Sequence, residues 1–176
     1  VEPHTPLARW VERGDVHAAP DDRYAAEYLR AHRLLRSAGF EHYEVSNAGL
    51  PGKRSRHNSA YWSGAEYLGL GPSAHSLLGG VRSWRVRNWT DYASRAIAGH
   101  ELIEGFEELD GGARRLERVY LGLRTDAGLP VAELAASLRE QWTAAGWGSE
   151  VGGVYRLSAA GWLLLDSLVA AATKGD

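Results

Sequence analysis

The sequence DDRYAAEYLRAHRLLRSAGFEHYEVS, residues 21–46, changes from helical to strand periodicity at a single glycine. Two aspartates at its start favour a helix, because carboxylates stabilise the positive end of the helix dipole. Gly39 then supplies a C-cap, and residues 40–46 predict a strand. A helix that leads through a glycine into a strand is typical of α/β proteins. The apolar residues of the helix recur at three- and four-residue spacing: Tyr24, Tyr28, Ala31, Leu34, Leu35 and Ala38.

Short elements are predicted on both sides of this stretch. Thr5 and Pro6 form a good helix start, with Thr as the N-cap and Pro at the first helical position. The other predicted elements are a loop over 47–56 that continues into the next motif, a short strand over 67–70, a hairpin over 76–86 that turns at Gly79–Gly80, and a helix over 89–98 closed by Gly99.

The pattern changes near Gly105, which predicts two domains, residues 1–105 and 106–176. The second begins with a helix whose apolar stripe includes Val119 and Leu123, and a further helix is expected to open at Leu129–Pro130. A short helix, a glycine-rich hairpin and a last helix follow, which is a winged-helix-like arrangement. A recognition helix for DNA needs basic or amide side chains. Residues 131–138 have no basic side chain, so a docking module is favoured over DNA binding.

Composition excludes several classes of function. The 176-residue chain has a net charge of −2, so it presents no global basic field to nucleic acid. No apolar run reaches the roughly 18 residues that a membrane span needs, and the start resembles no targeting peptide, so we expect a cytoplasmic protein. The chain has no Cys, which excludes an iron–sulfur cluster ligated from within it. It also has no Met, and we expect a fragment of a longer protein.

The hexad His57-Asn58-Ser59-Ala60-Tyr61-Trp62 is the densest group of chemically versatile side chains. It is predicted to lie in a loop, where α/β proteins place chemistry. His57 could coordinate a metal or a haem iron, and the two aromatic residues could stack on a macrocycle. Arg54 and Arg56 could pair with carboxylates such as propionates. The alternative is a hydrogen-bonded surface histidine beside a Tyr–Trp pair that packs in the core.

Two further features are open to alternatives. Gly69, Gly71 and the residues up to His75 allow close backbone approach of a ligand, or form only a tight turn. His75 could be a second ligand or a hydrogen-bond donor. Glu44 lies in a predicted strand, where an unpaired carboxylate is costly. It either binds a cofactor hydroxyl or ammonium group, or pairs with a nearby arginine.

Three motifs, in this order and spacing, resemble the HemW-type family of radical S-adenosylmethionine (SAM) haem chaperones, which is related to oxygen-independent coproporphyrinogen III oxidase. They are His42-Tyr43-Glu44-Val45-Ser46-Asn47-Ala48, then Arg56 to Trp62, then Tyr67 to Ser76. Weaker resemblance covers the opening Glu2-Pro3-His4-Thr5-Pro6-Leu7, where the family usually has Gly at the position of His4. It also covers Leu121-Gly122-Leu123-Arg124-Thr125 with Gly128-Leu129, and the tail from Tyr155 through Gly161 to Asp166.

The resemblance implies an α/β fold: the C-terminal part of a partial (β/α) TIM-type radical SAM barrel, followed by a small winged-helix-like α+β domain. The family's His-Asn-x-x-Tyr-Trp motif is associated with haem binding. It falls on His57, Asn58, Tyr61 and Trp62, with His57 as the iron ligand. The segment that contains Gly69, Gly71 and His75 would lie at the ligand-facing end of the barrel, near SAM. Glu44 stays a candidate cofactor contact on the chemistry given above.

The resemblance further implies a chaperone that hands haem to acceptor proteins, membrane-associated acceptors included. The alternative is an enzyme of the coproporphyrinogen III oxidase type that decarboxylates propionates by radical chemistry. The family's Cys-x-x-x-Cys-x-x-Cys motif for a 4Fe–4S cluster is missing from this sequence, so SAM and the cluster would be bound by a missing N-terminal half. Without the first barrel strands, the strands over 40–46 and 67–70 are expected to have open edges.

Overall fold

The structure is a computed structural model that describes residues 5–174. The N-terminal part contains two helices and a hairpin. The elements are α1 (Pro6–Glu12), α2 (Asp21–Ser37), β1 (Glu41–Glu44) and β2 (Asn47–Gly49). The Thr5 hydroxyl caps α1 by accepting a hydrogen bond from the Ala8 N–H at 3.1 Å. Gly39, at φ +84°, lets the chain leave α2 and enter β1.

The middle part is built on a three-stranded antiparallel sheet of order β3-β4-β5. Its elements are α3 (Arg56–Trp62), β3 (His75–Leu78), β4 (Val81–Arg85), α4 (Trp89–Ala98) and β5 (Ile103–Glu108). Gly79 and Gly80 turn the β3–β4 hairpin with positive φ angles of 58° and 79°. Asn88 caps the start of α4, and Gly99 ends it in the left-handed conformation.

The C-terminal part holds the principal core. Its elements are α5 (Gly111–Arg124), β6 (Leu129–Pro130), α6 (Ala136–Ala144), β7 (Gly148–Val151), β8 (Val154–Leu157), α7 (Ala159–Trp162) and α8 (Leu165–Thr173), with sheet order β6-β8-β7. The apolar stripe of α5 packs into this core through Val119 and Leu123, both fully buried. Trp142 and Tyr155 meet there edge to face, with ring centroids 5.9 Å apart.

Several elements that the sequence predicts are present in the structure. The helix at 89–98, the hairpin turn at Gly79–Gly80, and the capped helix that opens at Pro6 are present as predicted. The apolar stripe of α2 is less buried than its spacing suggests. Tyr24 and Leu34 remain 62% and 58% exposed, and no residue of α2 is fully buried. The helix is therefore amphipathic without a complete packing partner among the described residues.

Other expectations are wrong in detail. The strand over 40–46 shortens to β1, and part of the predicted 47–56 loop becomes β2, which pairs with it. The segment 67–70 forms one bridge, Tyr67 to Leu77, instead of a strand. Within the described chain, β1 therefore has a strand partner on one edge only, with a single bridge from Glu44 to Thr125 at its end, and the edges expected to be open are covered only in part. Leu129–Pro130 pairs with β8 and opens no α-helix; a single 3-10 turn follows it, and α6 begins later.

The domain boundary proposed near Gly105 falls on a paired residue. Gly105 lies inside β5 opposite Trp84, whose ring occupies the space that a Cβ would need. The chain turns from this sheet into α5 at Asp110, whose carboxylate accepts the Ala113 N–H at 2.7 Å. The division into residues 1–105 and 106–176 stays a prediction. Residues 1–4, which carry the expected Glu-Pro motif and the His4 departure, lie outside the described residues.

Candidate functional site

The hexad at 57–62 lies on a helix, which corrects the expectation of a loop. Ser55 is the N-cap of α3, and its Oγ accepts a hydrogen bond from the Asn58 N–H at 3.2 Å. The Ser55 N–H in turn donates to the hydroxyl of buried Tyr43 at 3.1 Å. These bonds satisfy orphan groups at the helix start. His57 is consequently held in the first turn of α3, with its imidazole exposed.

The rings of His57, Tyr61 and Tyr67 are in consecutive edge-to-face contact. The imidazole meets the Tyr61 ring edge to face, with centroids 4.9 Å apart, as i and i+4 positions on one helix face allow. Tyr61 meets Tyr67 in the same way at 4.6 Å. The chain then continues into Leu68 and Leu70, which are 62% and 79% exposed. An accessible imidazole with adjoining aromatic and apolar surface fits a large, flat and partly apolar ligand.

Trp62 packs against an arginine. The guanidinium carbon of Arg124 lies 4.2 Å from the Trp62 ring centroid, so one face of the indole is occupied by a cation–π contact. The indole Nε1 is buried and makes no hydrogen bond with the described residues. The two aromatic residues of the hexad therefore have different environments: Tyr61 lies beside His57, and Trp62 joins α3 to α5.

Glu44 is fully buried and pairs with an arginine that is remote in sequence. Its Oε1 accepts a hydrogen bond from the Asn47 side-chain amide. Its Oε2 lies 3.1 Å from Nη2 of Arg124, which is close enough for an ion pair but outside hydrogen-bond geometry. Of the two alternatives for Glu44, this geometry supports pairing with an arginine. The partner is on α5, and it is neither Arg54 nor Arg56.

The two arginines near the hexad differ. Arg54 donates to both carboxylate oxygens of Asp126 at 2.9 and 2.7 Å, and also to Glu41. The hydrogen bond to Asp126 is the main cause that raises the Arg54 pKa. Arg54 is thus engaged within the fold. Arg56 is exposed and has no ion-pair partner among residues 5–174, so it could still meet a ligand carboxylate.

The glycine-rich segment makes a close turn against its own chain. A Cβ on Gly69 would lie 2.1 Å from the carbonyl oxygen of His75. The Gly69 N–H donates to Ser76 Oγ, and its carbonyl accepts from Arg85 Nε, both at 3.0 Å. Gly71 has a positive φ of 100°, a backbone conformation that glycine adopts more readily than other residues. These contacts account for the glycines by the tight-turn alternative, while their role in cofactor binding stays a prediction.

His75 is exposed at the start of β3, and its ring lies 6.1 Å from that of Trp84. Within the described part of the chain, no ring contact or hydrogen bond joins it to His57. The same residues contain no group of three or more His, Asp and Glu side chains arranged to hold a metal ion. Iron ligation by the hexad would therefore rest on one imidazole, that of His57.

Comparison with known proteins shows which proteins this chain resembles in sequence. The chain is 44% identical over 142 residues to "Heme chaperone HemW" of Mycobacterium tuberculosis, a match that covers 80% of this chain and 36% of the relative. It is 35% identical to the Synechocystis protein of the same name, with 76% and 33% covered. Over these residues, the chain belongs to the HemW-type family. No family model matches it.

Other relatives of this HemW-type chain agree. It is 35% identical to "Radical S-adenosyl methionine domain-containing protein 1, mitochondrial" of Mus musculus, over 73% of the chain and 31% of the relative. A solved structure, "Coproporphyrinogen III oxidase (HemN) from Escherichia coli is a Radical SAM enzyme", matches 83% of this chain and 40% of that one. The TM-score is 0.60 at 14% identity, which shows that the two folds are alike. The chain spans about a third of the length of the curated relatives it matches.

The HemW-type chain also carries a histidine pair that sequence reasoning missed. Nδ1 of His32 on α2 and Nδ1 of His42 on β1 lie 2.6 Å apart, and His42 packs edge to face on Trp162. Burial is the main cause that lowers both pKa values. Beside them, burial raises the pKa of Tyr28 to about 12, and its hydroxyl donates to the Val45 carbonyl. The two histidines are ten positions apart, and no helical or strand period connects them.

Arg124 and Asp126 were likewise not predicted as part of the site. Both follow the apolar stripe of α5, where a basic residue at the helix end is ordinary. Their partners, Glu44 and Arg54, come from a much earlier part of the sequence.

Among residues 5–174, no helix has the length and apolar character that a membrane span requires.

Proposed function

We propose that this chain is the haem-contacting portion of a haem chaperone, which binds haem through His57 and passes it to acceptor proteins, membrane-associated acceptors included. The observation that carries the proposal is the exposed imidazole of His57 in the first turn of α3, which meets the Tyr61 ring edge to face. A neutral imidazole nitrogen is a common haem ligand. Haem is the cargo, and His57 acts as a ligand with no acid–base role.

The remaining site residues have roles that follow from their surroundings. Tyr61 orients the imidazole, and Asn58, whose N–H binds the Ser55 cap, keeps the first turn of α3 closed. Arg56 is available for a propionate. Trp62 contributes by holding α3 in place and has one ring face covered. Gly69, Gly71 and His75 form the neighbouring turn, which would border a ligand that extends beyond Tyr67.

SAM, which the name of the Mus musculus relative includes, and a 4Fe–4S cluster, which the family resemblance implies, would complete the intact protein. The thiolates for such a cluster must come from outside this sequence, because it contains no Cys. The cluster and SAM would supply radical chemistry in the part of the protein that holds them. For the 176-residue chain itself we propose haem binding in the cytoplasm, which fractionation of cells that express a tagged form would test.

A haem titration of the chain and its His57→Ala variant tests the proposal. The Soret absorbance change should saturate for the unaltered chain and be lost in His57→Ala. His17→Ala is the matched control, because His17 is exposed in a loop remote in sequence from α3. His75→Ala reports whether that residue is the second axial ligand. An unchanged Soret titration for His57→Ala would refute the ligand assignment.

The fold match to a coproporphyrinogen III oxidase favours one second candidate, an oxidative decarboxylase. This activity requires the cluster and SAM, so it belongs to the longer protein. Anaerobic incubation of that protein with coproporphyrinogen and SAM, followed by product analysis, separates the two. Decarboxylated product would support the enzyme, and haem transfer without product would support the chaperone.

A further inference from the structure

Two chain segments far apart in sequence are joined next to α3. The Val45 N–H donates to the Arg124 carbonyl at 3.2 Å, and the Asp126 N–H donates to the Tyr43 carbonyl at 2.9 Å. Glu44 and Thr125 form the antiparallel bridge between these bonds. The end of α5 is thereby attached to the end of β1 by backbone contacts, and the Arg124 side chain starts from this junction.

A single guanidinium connects three elements at the junction. Arg124 Nη2 lies 3.1 Å from Glu44 Oε2 and donates to Ser46 Oγ at 3.1 Å. Its Nη1 donates to the Tyr120 hydroxyl at 3.2 Å. The guanidinium carbon lies over the ring of Trp62, the last residue of α3, at 4.2 Å from the ring centroid. The Arg124 side chain is only 15% exposed, so these contacts are largely shielded from water.

The helix that carries His57 depends on such contacts for its orientation. α3 has seven residues, none of them buried, and a helix of this length is unstable in isolation. Its start is attached through the Ser55 N–H to Tyr43, and its end through Trp62 to Arg124. Both attachments lead to the same β1–α5 junction. The direction of the His57 imidazole is consequently set by that junction.

We propose that Arg124 is a positioning residue that fixes α3, and with it the His57 imidazole, by holding Trp62 from the end of α5. This inference rests on the proposed haem-binding function. The contact needs arginine, because a planar guanidinium can stack on an indole while its edge binds a carboxylate and hydroxyl groups. A lysine at the same position would keep the positive charge beside Glu44 and lose the stacked plane.

The test is the haem affinity of Arg124→Lys, measured alone and in the His57→Ala background by quenching of tryptophan fluorescence, which does not require iron ligation by His57, with the Soret spectrum recorded alongside. A cation–π contact away from water corresponds to a loss of about threefold to thirtyfold. We expect this loss and a shifted Soret maximum when His57 is present, and no further loss when His57 is absent. Arg118→Lys is the matched control, since Arg118 lies on the same helix and is 60% exposed.

Three outcomes separate the two proposals. If His57→Ala leaves haem binding unchanged, the proposed function fails and the positioning role fails with it. If His57→Ala abolishes the ligand signature while Arg124→Lys matches the unaltered chain, only the positioning role is overturned. An equal loss from Arg124→Lys in both backgrounds also overturns it, because it shows general damage. If Arg124→Lys does not fold, Trp62→Phe must show the same dependence on His57, and its absence there overturns the proposal.

Discussion

Glu44→Gln should destabilise the chain strongly, because it removes the negative partner of a buried arginine. Glu44 is fully buried and the Arg124 side chain is 15% exposed. Glutamine has nearly the same shape, so the packing and the Asn47 contact can remain while the guanidinium loses its counter-charge. Removing one member of a buried ion pair typically costs about 3–5 kcal/mol, against a total stability of roughly 5–15 kcal/mol for a domain.

Urea unfolding, followed by tryptophan fluorescence and circular dichroism, measures this loss. With an m value of about 2 kcal/mol/M, the midpoint should fall by roughly 1.5–2.5 M. Glu150→Gln makes the same chemical change in a surface pair, where Glu150 is 48% exposed and lies 2.5 Å from Arg139. That variant should lose less than about 1 kcal/mol. Equal midpoints for the two variants would refute the reasoning.

A double variant tests whether the unpaired charge of Arg124 causes the loss of stability in Glu44→Gln. Glu44→Gln combined with Arg124→Met removes both charges and replaces the arginine with a shorter, flexible apolar side chain. Because an uncompensated buried charge is the largest cost, the double variant should be more stable than Glu44→Gln alone. If it is less stable, loss of the Trp62 contact outweighs the charge, and the stranded guanidinium is not the main source of the instability.

The histidine pair and the glycine turn give two further predictions. The pKa values of His32 and His42 are lowered in the fold, so the unfolded chain binds more protons than the folded chain. Stability should therefore be greatest above the unfolded histidine pKa of about 6.5, and it should fall as the pH drops through the folded pKa values. The urea midpoint should therefore decrease from pH 7.5 to pH 5, less so for His42→Gln; an equal decrease in both proteins would exclude the pair as its source. Gly69→Ala should cost about 1–3 kcal/mol, because its Cβ meets a backbone carbonyl. Gly111→Ala, which has open space at the start of α5, is the control and should be neutral or stabilising in the same unfolding assay.

Elements whose signals are local could be predicted from the sequence. α4 runs from an asparagine cap to a left-handed glycine, and the β3–β4 turn uses two adjacent glycines. Both depend on residues within a few positions, so neighbouring chain does not change them. The HemW-type resemblance could also be recognised, because it rests on ordered motifs, and the relatives bear it out.

The structure of the hexad could not be predicted, because its helix is stabilised from a distance. The Ser55 side chain caps α3 locally, but the Tyr43 hydroxyl that accepts the Ser55 N–H lies on another element. The same holds for Trp62, whose ring looks equally suited to a ligand or to the core. Only the packing of α5 against β1 brings Arg124 to it.

The sequence by itself determined α1, α4 and the β3–β4 turn, the family, and His57 as the candidate ligand. Tertiary structure decided the partner of Glu44, the engagement of Arg54 with Asp126, and the different environments of Tyr61 and Trp62. The physical reason is that caps and turns are satisfied by backbone groups a few residues away. A buried charge or an indole face is satisfied by whichever side chain the fold brings within contact distance, however remote in sequence.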